Sequence, residues 1–410
     1  MTKDEHSLRL KTKDSNDWIA GTGGFLAQSI REIGRSILPL ELMVFVGALG
    51  ISNADVGVVL SIYGVFFAAG SLFWGVIADR IELRIVLALS SLLASIGIFG
   101  MGGVNSFTQC LVFYALIGFG SAAIVSLIPK LASTYFSSQR RGIASSYIYS
   151  GGTVTAAILG IVVPLLVNSH DWRLPFYALG SIGIVGSFSI FFLVKKRTYE
   201  IQKQKAKTKN VLMMKTTWHI ATIHAALFSA ALLINAFLAG YLTEIGFSLV
   251  SAGFAFSVFT AAKFIGQYTF GILSDYIPRK FVLSFIAFLL VVSMTIFISL
   301  RTGELGTYAL VFSIGLSVGC TPVLYAISCD NFRTNVLGTA TGIAMFMDGL
   351  GSIFVPAAAG YLATAAETLA AVFQLSIGLA FAGAILSLVL KRQPESKQNR
   401  APDKTNQVTC

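Results

Sequence analysis

Several charged side chains stand inside strongly apolar stretches of this sequence, where an ionised group needs a watery cavity or an oppositely charged partner. Arg31 and Arg35 are four residues apart, so a helix presents both on one face, with Gln28 a turn earlier. Guanidinium groups carry a planar fork of donors that suits carboxylates and phosphates. The pair therefore favours an anion-binding site, and a purely structural ion network is the alternative.

A second set of polar residues is a candidate for coupling movement to binding. Lys263 and Asp348 stand at similar depths of two later apolar stretches, and a pair between them could be broken by substrate or by a proton. A permanent salt bridge is the alternative. His224 could relay protons because histidine titrates near neutral pH, or it could simply pack. Glu32 joins the coupling candidates, although it points about 100° away from Arg31 and is not expected to neutralise both arginines.

The elements that carry these residues are membrane-spanning helices. The 410 residues are 55% apolar and only 12% charged, which no soluble domain of this size could bury. Apolar stretches recur at the length of roughly 20 residues that a helix needs to cross a bilayer. We predict an all-α membrane protein with twelve transmembrane helices, at 24–48, 56–78, 85–103, 109–128, 142–167, 175–194, 216–241, 249–272, 281–300, 307–329, 336–361 and 368–390.

Charge distribution predicts the domain organisation and the orientation. Of the 30 Lys and Arg residues, 25 fall in the two tails and in alternate loops, and the opposite loops hold only Arg173 and Arg301. The positive-inside rule then puts both termini in the cytoplasm. The predicted units are a tail at 1–23, a six-helix bundle at 24–194, a basic linker at 195–215, a second six-helix bundle at 216–390 and a tail at 391–410.

The same charge distribution indicates which kinds of molecule the protein contacts. The net charge of +11 sits in short loops beside apolar spans, so it indicates contact with anionic lipid and not nucleic-acid binding. The polar N-terminus lacks the features of a secretory signal peptide, so the first span is expected to stay attached. Four cysteines without paired spacing predict no disulfide, metal or cofactor site: Cys110, Cys320, Cys329 and Cys410.

An internal sequence repeat relates the two predicted bundles to each other. The pattern Gly-x4-Gly-x3-Asp occurs at Gly70 and again at Gly266, a shift of 196 residues that also relates Gly142 to Gly338. Small residues let membrane helices approach closely, and a carboxylate is favoured at the N-terminal end of a helix. We predict a conformational latch between the bundles, formed by Gly75, Asp79, Arg80, Arg84, Arg141, Gly271, Asp275, Arg279 and Lys280.

These residues resemble the major facilitator superfamily over nearly all of residues 18–392. The resemblance rests on Gly75 to Arg80 with Arg84, on the repeat from Gly271, on the Arg140-Arg141-Gly142 sequence and on the turn from His170 to Phe176. It implies two pseudo-symmetric bundles that rock around a central site. Departures from the family pattern are Glu82, which replaces a usual glycine, Tyr276, which replaces a usual basic residue, and Tyr114, which replaces an arginine common in proton-coupled members.

The resemblance also narrows the expected substrate. The spacing from Arg31 to Pro39 resembles organic-anion porters of this superfamily, and Lys263 resembles the cation of monocarboxylate carriers in the same span. Span 10 is expected to line the pathway, which makes Tyr325 a candidate binding residue. Span 7 lacks the arginine of phosphate-exchanging members, which favours a carboxylate over a phosphate ester.

The sequence thus predicts a secondary active transporter, not an enzyme. We expect a monomer in the inner or plasma membrane that moves a small organic anion by proton symport or anion exchange. Efflux of drug-like or uncharged molecules is the alternative.

Overall fold

The computed structural model describes residues 3–78, 80–136, 141–169, 171–195, 214–300, 302–321, 323–324, 327, 331 and 334–390, without side chains for 3–16, 129, 133, 141–143, 169, 275 and 334–342. This described part contains helices and no strand. Their bounds are α1 Lys3–Leu40, α2 Leu42–Leu49, α3 Asn53–Ala78, α4 Leu83–Met101, α5 Phe107–Tyr135, α6 Arg141–Ser169, α7 Leu174–Leu193, α8 Lys215–Glu244, α9 Leu249–Tyr276, α10 Arg279–Ser299, α11 Glu304–Val318, α12 Thr334–Ala366 and α13 Ala370–Val389.

The helices match the predicted spans. Within the described residues, ten helices are long and apolar enough to cross a membrane, and α11 is a shorter apolar helix at the predicted tenth span. The first span differs from the prediction because it consists of two helices. α1 begins at Lys3, inside the predicted tail, and the chain leaves the helical path at Glu41, two residues after Pro39. The result is an all-α membrane protein with the predicted twelve-span organisation.

The two halves of the chain meet at one end of the molecule. We call the end where α1 begins and α13 finishes the tail end, and the opposite end the far end. One large apolar cluster at the far end includes Phe45 and Trp172 from the first half and Tyr241 and Phe373 from the second. The buried residues of the two other described clusters, both towards the tail end, come from 20–194 and from 220–390 respectively. The halves are therefore joined at the far end, and their described tail-end cores are separate.

Two glycine contacts bring the halves together at the far end. Gly57 on α3 faces Gly360 on α12, where an added Cβ would lie 2.5 Å from the carbonyl oxygen of Pro356. Gly253 on α9 faces Gly160 on α6, and a Cβ there would overlap the carbonyl oxygen of Gly160. The shift of 196 residues that relates the predicted bundles also relates Gly57 to Gly253. Both contacts depend on the absence of a side chain, because backbone from the other half fills the space.

Hydrogen bonds add to this closure. The backbone N–H of Ala54 donates to Thr364 Oγ1 at 2.9 Å, which links α3 to α12. Ser257 Oγ donates to the carbonyl oxygen of Ala157 at 2.7 Å, which links α9 to α6. Polar links of this kind hold helices together in a medium that offers no competing water.

Candidate functional site

Arg31 forms a compact polar network along α1. Its Nε donates to Gln28 Oε1 at 2.7 Å, and its Nη2 lies 3.1 Å from Glu32 Oε2. Glu32 Oε1 accepts a bond from Ser36 Oγ at 3.1 Å. Glu32 was not expected to neutralise both arginines, and among the described residues it forms an ion pair with Arg31 alone. The long arginine side chain folds back along the helix to reach it. Arg31 and Glu32 together carry no net charge.

Arg35, one turn further on, has no ion pair or hydrogen bond with a described residue. It is half-buried and acts electrostatically on Glu32 and on the buried Tyr114. The carboxylate of Glu32 is already engaged by Arg31 and Ser36. The cluster therefore keeps the positive charge of Arg35.

Lys263 brings a further positive charge from the other half of the protein. It lies on α9, is half-buried, and interacts electrostatically with Arg35, Glu32 and Arg31. It forms no ion pair with any residue that the structure describes. The structure thus brings side chains from both halves into one charged cluster, whereas their binding role stays a prediction.

Unsatisfied polar atoms lie beside this cluster. Gln28 Nε2 and the hydroxyl of Tyr63 are buried, and neither has a hydrogen-bond partner among the described residues. Tyr63 and Tyr149 both lie near the Arg31 guanidinium, and Tyr63 also contacts Tyr114, with ring centroids 5.8 Å apart. Buried polar groups are normally paired, so these two groups are candidates to bond a ligand that enters the cluster.

Asp348 has a different partner from the one that the sequence suggested. Its Oδ2 lies 3.1 Å from Nδ1 of His224, and both side chains are almost completely buried. Among the described residues, no ion pair joins Asp348 to Lys263. The reason is helix orientation: α8 and α12 turn His224 and Asp348 towards each other, a relation that sequence depth does not reveal. The buried thiol of Cys320 lies near both Asp348 and Lys263.

His219, just over one turn before His224, has a separate environment. Its Nε2 lies 2.8 Å from the carbonyl oxygen of Leu386 on α13. This contact satisfies one ring nitrogen with backbone, so His219 packs and His224 alone joins the buried acid.

The structure describes only some of the predicted latch residues. Asp79 and Tyr325 lie outside the described residues, as do the side chains of Asp275 and Arg141. Arg84 binds Glu82 at 2.7 Å and covers the ring of Phe191, both within its own half. The remaining latch residues lie at the tail end, where Arg80 is exposed, Gly271, Arg279 and Lys280 are half-buried, and Lys280 covers the Phe281 ring.

The glycines of the latch pattern make two kinds of contact in this structure. Gly70 packs against Phe119 of its own half and Gly266 against Leu316 of its own half, as close helix contacts require. Gly75 has open space around its Cβ position. Among the described residues, no part of the second half packs closely at Gly75, because the halves meet at the far end.

Metal-ligand and thiol chemistry finds little support in the described part of the chain. It contains no group of three or more His, Cys, Asp or Glu side chains able to hold a metal ion. Cys110 and Cys320 are buried free thiols.

Comparison with known proteins gives consistent matches along the whole chain. The model of the Major Facilitator Superfamily matches residues 23–243 and 220–409. A hexuronate transporter of Bacillus subtilis is 24% identical over 381 residues, covering 87% of this chain and 90% of its own. A cis,cis-muconate transport protein of Acinetobacter baylyi is 25% identical over 390 residues. The matched region covers 90% of this chain and 91% of that protein.

Other matches include a drug resistance protein and a nucleoside transporter of known structure. The quinolone resistance protein NorA of Staphylococcus aureus is 24% identical over 382 residues, covering 87% of this chain and 92% of its own. Among solved structures, a mutant form of the nucleoside transporter NupG superposes with a TM-score of 0.76 at 14% identity, covering 91% of this chain and 99% of that one.

Proposed function

Because this chain belongs to the major facilitator superfamily, we propose that it carries a small organic anion, with a carboxylate as the acidic group, through the cleft between its two halves. The chain is a multi-pass secondary transporter and not an enzyme. On our proposal it acts as a monomer in the inner or plasma membrane, and its basic loops contact anionic lipid.

The charge balance of the central cluster carries this proposal. Glu32 forms an ion pair with Arg31 and also interacts electrostatically with Arg35 and Lys263. Because these three cations share one carboxylate, the cluster, built from both halves, keeps a net positive charge. Two cations in a cleft between apolar helices repel each other and need a counter-charge. An anionic substrate supplies it, and the free donors of Gln28 and Tyr63 are available for its hydroxyl or second acidic group.

A carboxylate fits this site better than a phosphate ester. α8, the helix where phosphate-exchanging relatives carry an arginine, has none. Two relatives that match most of the chain are named for hexuronate and cis,cis-muconate, which carry one and two carboxylates. Arg35 and Lys263 suit either a dicarboxylate that spans the cleft or a monocarboxylate with hydroxyl groups.

Substrate binding also gives a reason for movement. On our proposal the tail end faces the cytoplasm, as the positive-inside rule predicts, and the far end, where the halves are joined, is closed to the outside. An anion between Arg35 and Lys263 relieves their repulsion and favours closure of the cleft at the cytoplasmic end. On this proposal the latch residues then engage, the glycine contacts of the far end separate, and the site opens to the outside.

Energy coupling has two candidate routes in this scheme. Protonation of the His224–Asp348 pair would change the packing of α8 against α12, and a proton gradient could then drive uptake. Alternatively, a second anion could return through the same site. Glu32 contributes in either case, because its carboxylate competes with the substrate for the arginines.

Binding of carboxylates is the direct test. We expect glucuronate or cis,cis-muconate to raise the unfolding temperature of the purified protein, whereas glucose and glucose 6-phosphate do not. At a hundredfold excess over the dissociation constant the stabilisation amounts to about 2.7 kcal/mol. Stabilisation by uncharged drugs and by no carboxylate would contradict the proposal. Drug efflux, which the match to NorA supports, would then be favoured.

The glycine contacts provide a test of alternating access. We expect Gly253→Ala to reduce uptake into proteoliposomes by roughly tenfold, because a methyl group overlaps Gly160 only in the state closed to the outside. Overpacking of this kind costs about 1–3 kcal/mol. Gly378→Ala is the matched control, since its Cβ position has open space. Wild-type uptake by Gly253→Ala would show that this contact does not take part in the cycle.

A further inference from the structure

Glu41 is a buried acid that the substrate site does not use. It lies between α1 and α2 with 0% exposure, and neither oxygen of its carboxyl group has a hydrogen-bond partner among the residues that the structure describes. Its backbone N–H is already engaged by the carbonyl oxygens of Ile37 and Leu38. The side chain is thus isolated inside the far-end cluster of apolar residues.

An ionised carboxylate is strongly disfavoured in such a place. Moving the charge out of water costs several kcal/mol, and neither a hydrogen bond nor an ion pair offsets that cost here. Leu40 and Leu42 beside it in sequence, and Phe45 one turn on, belong to the same buried apolar cluster. A neutral carboxylic acid is compatible with these surroundings, so closure of the far end favours the form that holds a proton.

The other titratable groups nearby do not supply a counter-charge. Asp171, in the turn between α6 and α7, acts on Glu41 as a like charge, and its side chain is 57% exposed at the far end. Arg173 is held by Asp171 and by Asn105. The other titratable side chains that the structure describes in the surrounding cluster are Cys110, Tyr114 and Tyr241, with Tyr63 and Tyr308 packed against it. At the adjoining end of α8, Glu244 binds Thr368 and the backbone of Leu369.

We propose that Glu41 is a proton-binding site that loads from the outside: it takes a proton while the far end is open to water and keeps it when the far end closes. This inference rests on the alternating access of the proposed function. Asp171 is an exposed carboxylate that acts electrostatically on Glu41, and on this proposal it passes a proton from outside water towards Glu41. The site is separate from the substrate cluster, because Glu41 lies six residues beyond Arg35, about 9 Å along a helix.

The break in the first span gives this proton a mechanical consequence. α2 is a separate helix of eight residues, and Leu42 at its start packs against Gly240 of the other half. Ionisation of Glu41 would draw water into the junction of α1 and α2 and move α2 away from α8. Protonation therefore favours the closed far end, and loss of the proton favours the open one.

Infrared difference spectroscopy tests the proton directly. In nanodiscs near neutral pH, we expect the C=O band of a neutral carboxylic acid in the wild type and in Asp348→Asn. Glu41→Gln should lack this band. A Glu41→Gln spectrum that keeps the full carboxylic acid band would overturn the proposal.

Transport at controlled outside pH tests whether protonation of Glu41 favours closure of the far end. With the inside held constant, we expect wild-type uptake to fall by about tenfold between outside pH 6 and pH 8, as the protonated fraction falls. Glu41→Gln, a permanent mimic of the neutral acid, should lose most of this dependence, and Glu41→Asp should retain it. Equal pH dependence in Glu41→Gln and wild type would contradict the inference.

Ligand binding separates this inference from the proposed function. Thermal stabilisation by a carboxylate should be the same in Glu41→Gln and in wild type, because the substrate cluster is intact. If no carboxylate stabilises either protein, the proposed substrate class is wrong. If both are stabilised equally and the pH dependence is unchanged, only the role of Glu41 is wrong.

Discussion

Replacing Arg35 by glutamine is expected to abolish most carboxylate transport, with a loss of roughly 10- to 100-fold in uptake at low substrate concentration. Arg35 keeps an unneutralised charge beside Lys263 and has no partner among the described residues, so the protein itself loses no ion pair in the variant. A hydrogen bond to a charged group contributes about 1.5–3 kcal/mol, and this contribution is lost from substrate binding. Uptake of labelled substrate into proteoliposomes measures the effect.

Matched variants make this test specific. Lys263→Gln should cause a comparable loss, whereas Lys215→Gln, at an exposed position at the start of α8, should transport normally. Arg35→Lys should recover part of the activity, because it keeps the charge but loses the planar fork of donors. Normal transport by Arg35→Gln would contradict an anion-binding site at Arg35 and would favour the efflux alternative.

The second large effect is expected from Asp348→Asn. Asparagine keeps the size of the side chain and a hydrogen bond to His224 but cannot take up a proton, so substrate exchange should continue while proton-driven accumulation falls by roughly tenfold or more. The measurement compares accumulation under an imposed proton gradient with exchange in its absence. Thermal unfolding checks that the variant is folded, because breaking a buried pair is often strongly destabilising.

Two histidine variants act as internal controls for this result. His224→Gln should reproduce the loss of accumulation, because it removes the imidazole that pairs with Asp348. His219→Gln should have little effect, since the ring of His219 bonds to backbone of α13 and not to an acid. Full proton-dependent accumulation by Asp348→Asn would show that the His224–Asp348 pair does not couple transport to protons. Anion exchange would then be the favoured transport mechanism.

The sequence was sufficient for properties that depend on one helix at a time. Hydropathy predicts the membrane-spanning helices because each must hide about 20 residues of backbone from lipid, whatever its neighbours are. The four-residue spacing of Arg31 and Arg35 predicts one helix face for the same reason. The shift of 196 residues predicts two related halves, and Gly57 and Gly253 extend that relation to the contacts that close the far end.

Contacts between helices were decided only by the tertiary structure. His224 and Asp348 are 124 residues apart, and their pairing depends on the rotation and tilt of α8 and α12, which periodicity within one helix does not encode. The bond from Arg31 to Glu32 depends on a side-chain conformation that the average direction of each residue does not predict. The isolation of Glu41 and the charge left on Arg35 and Lys263 are likewise properties of what surrounds a residue. The sequence alone determined that charges enter the membrane, and the packing of helices from both halves decided which of them find partners.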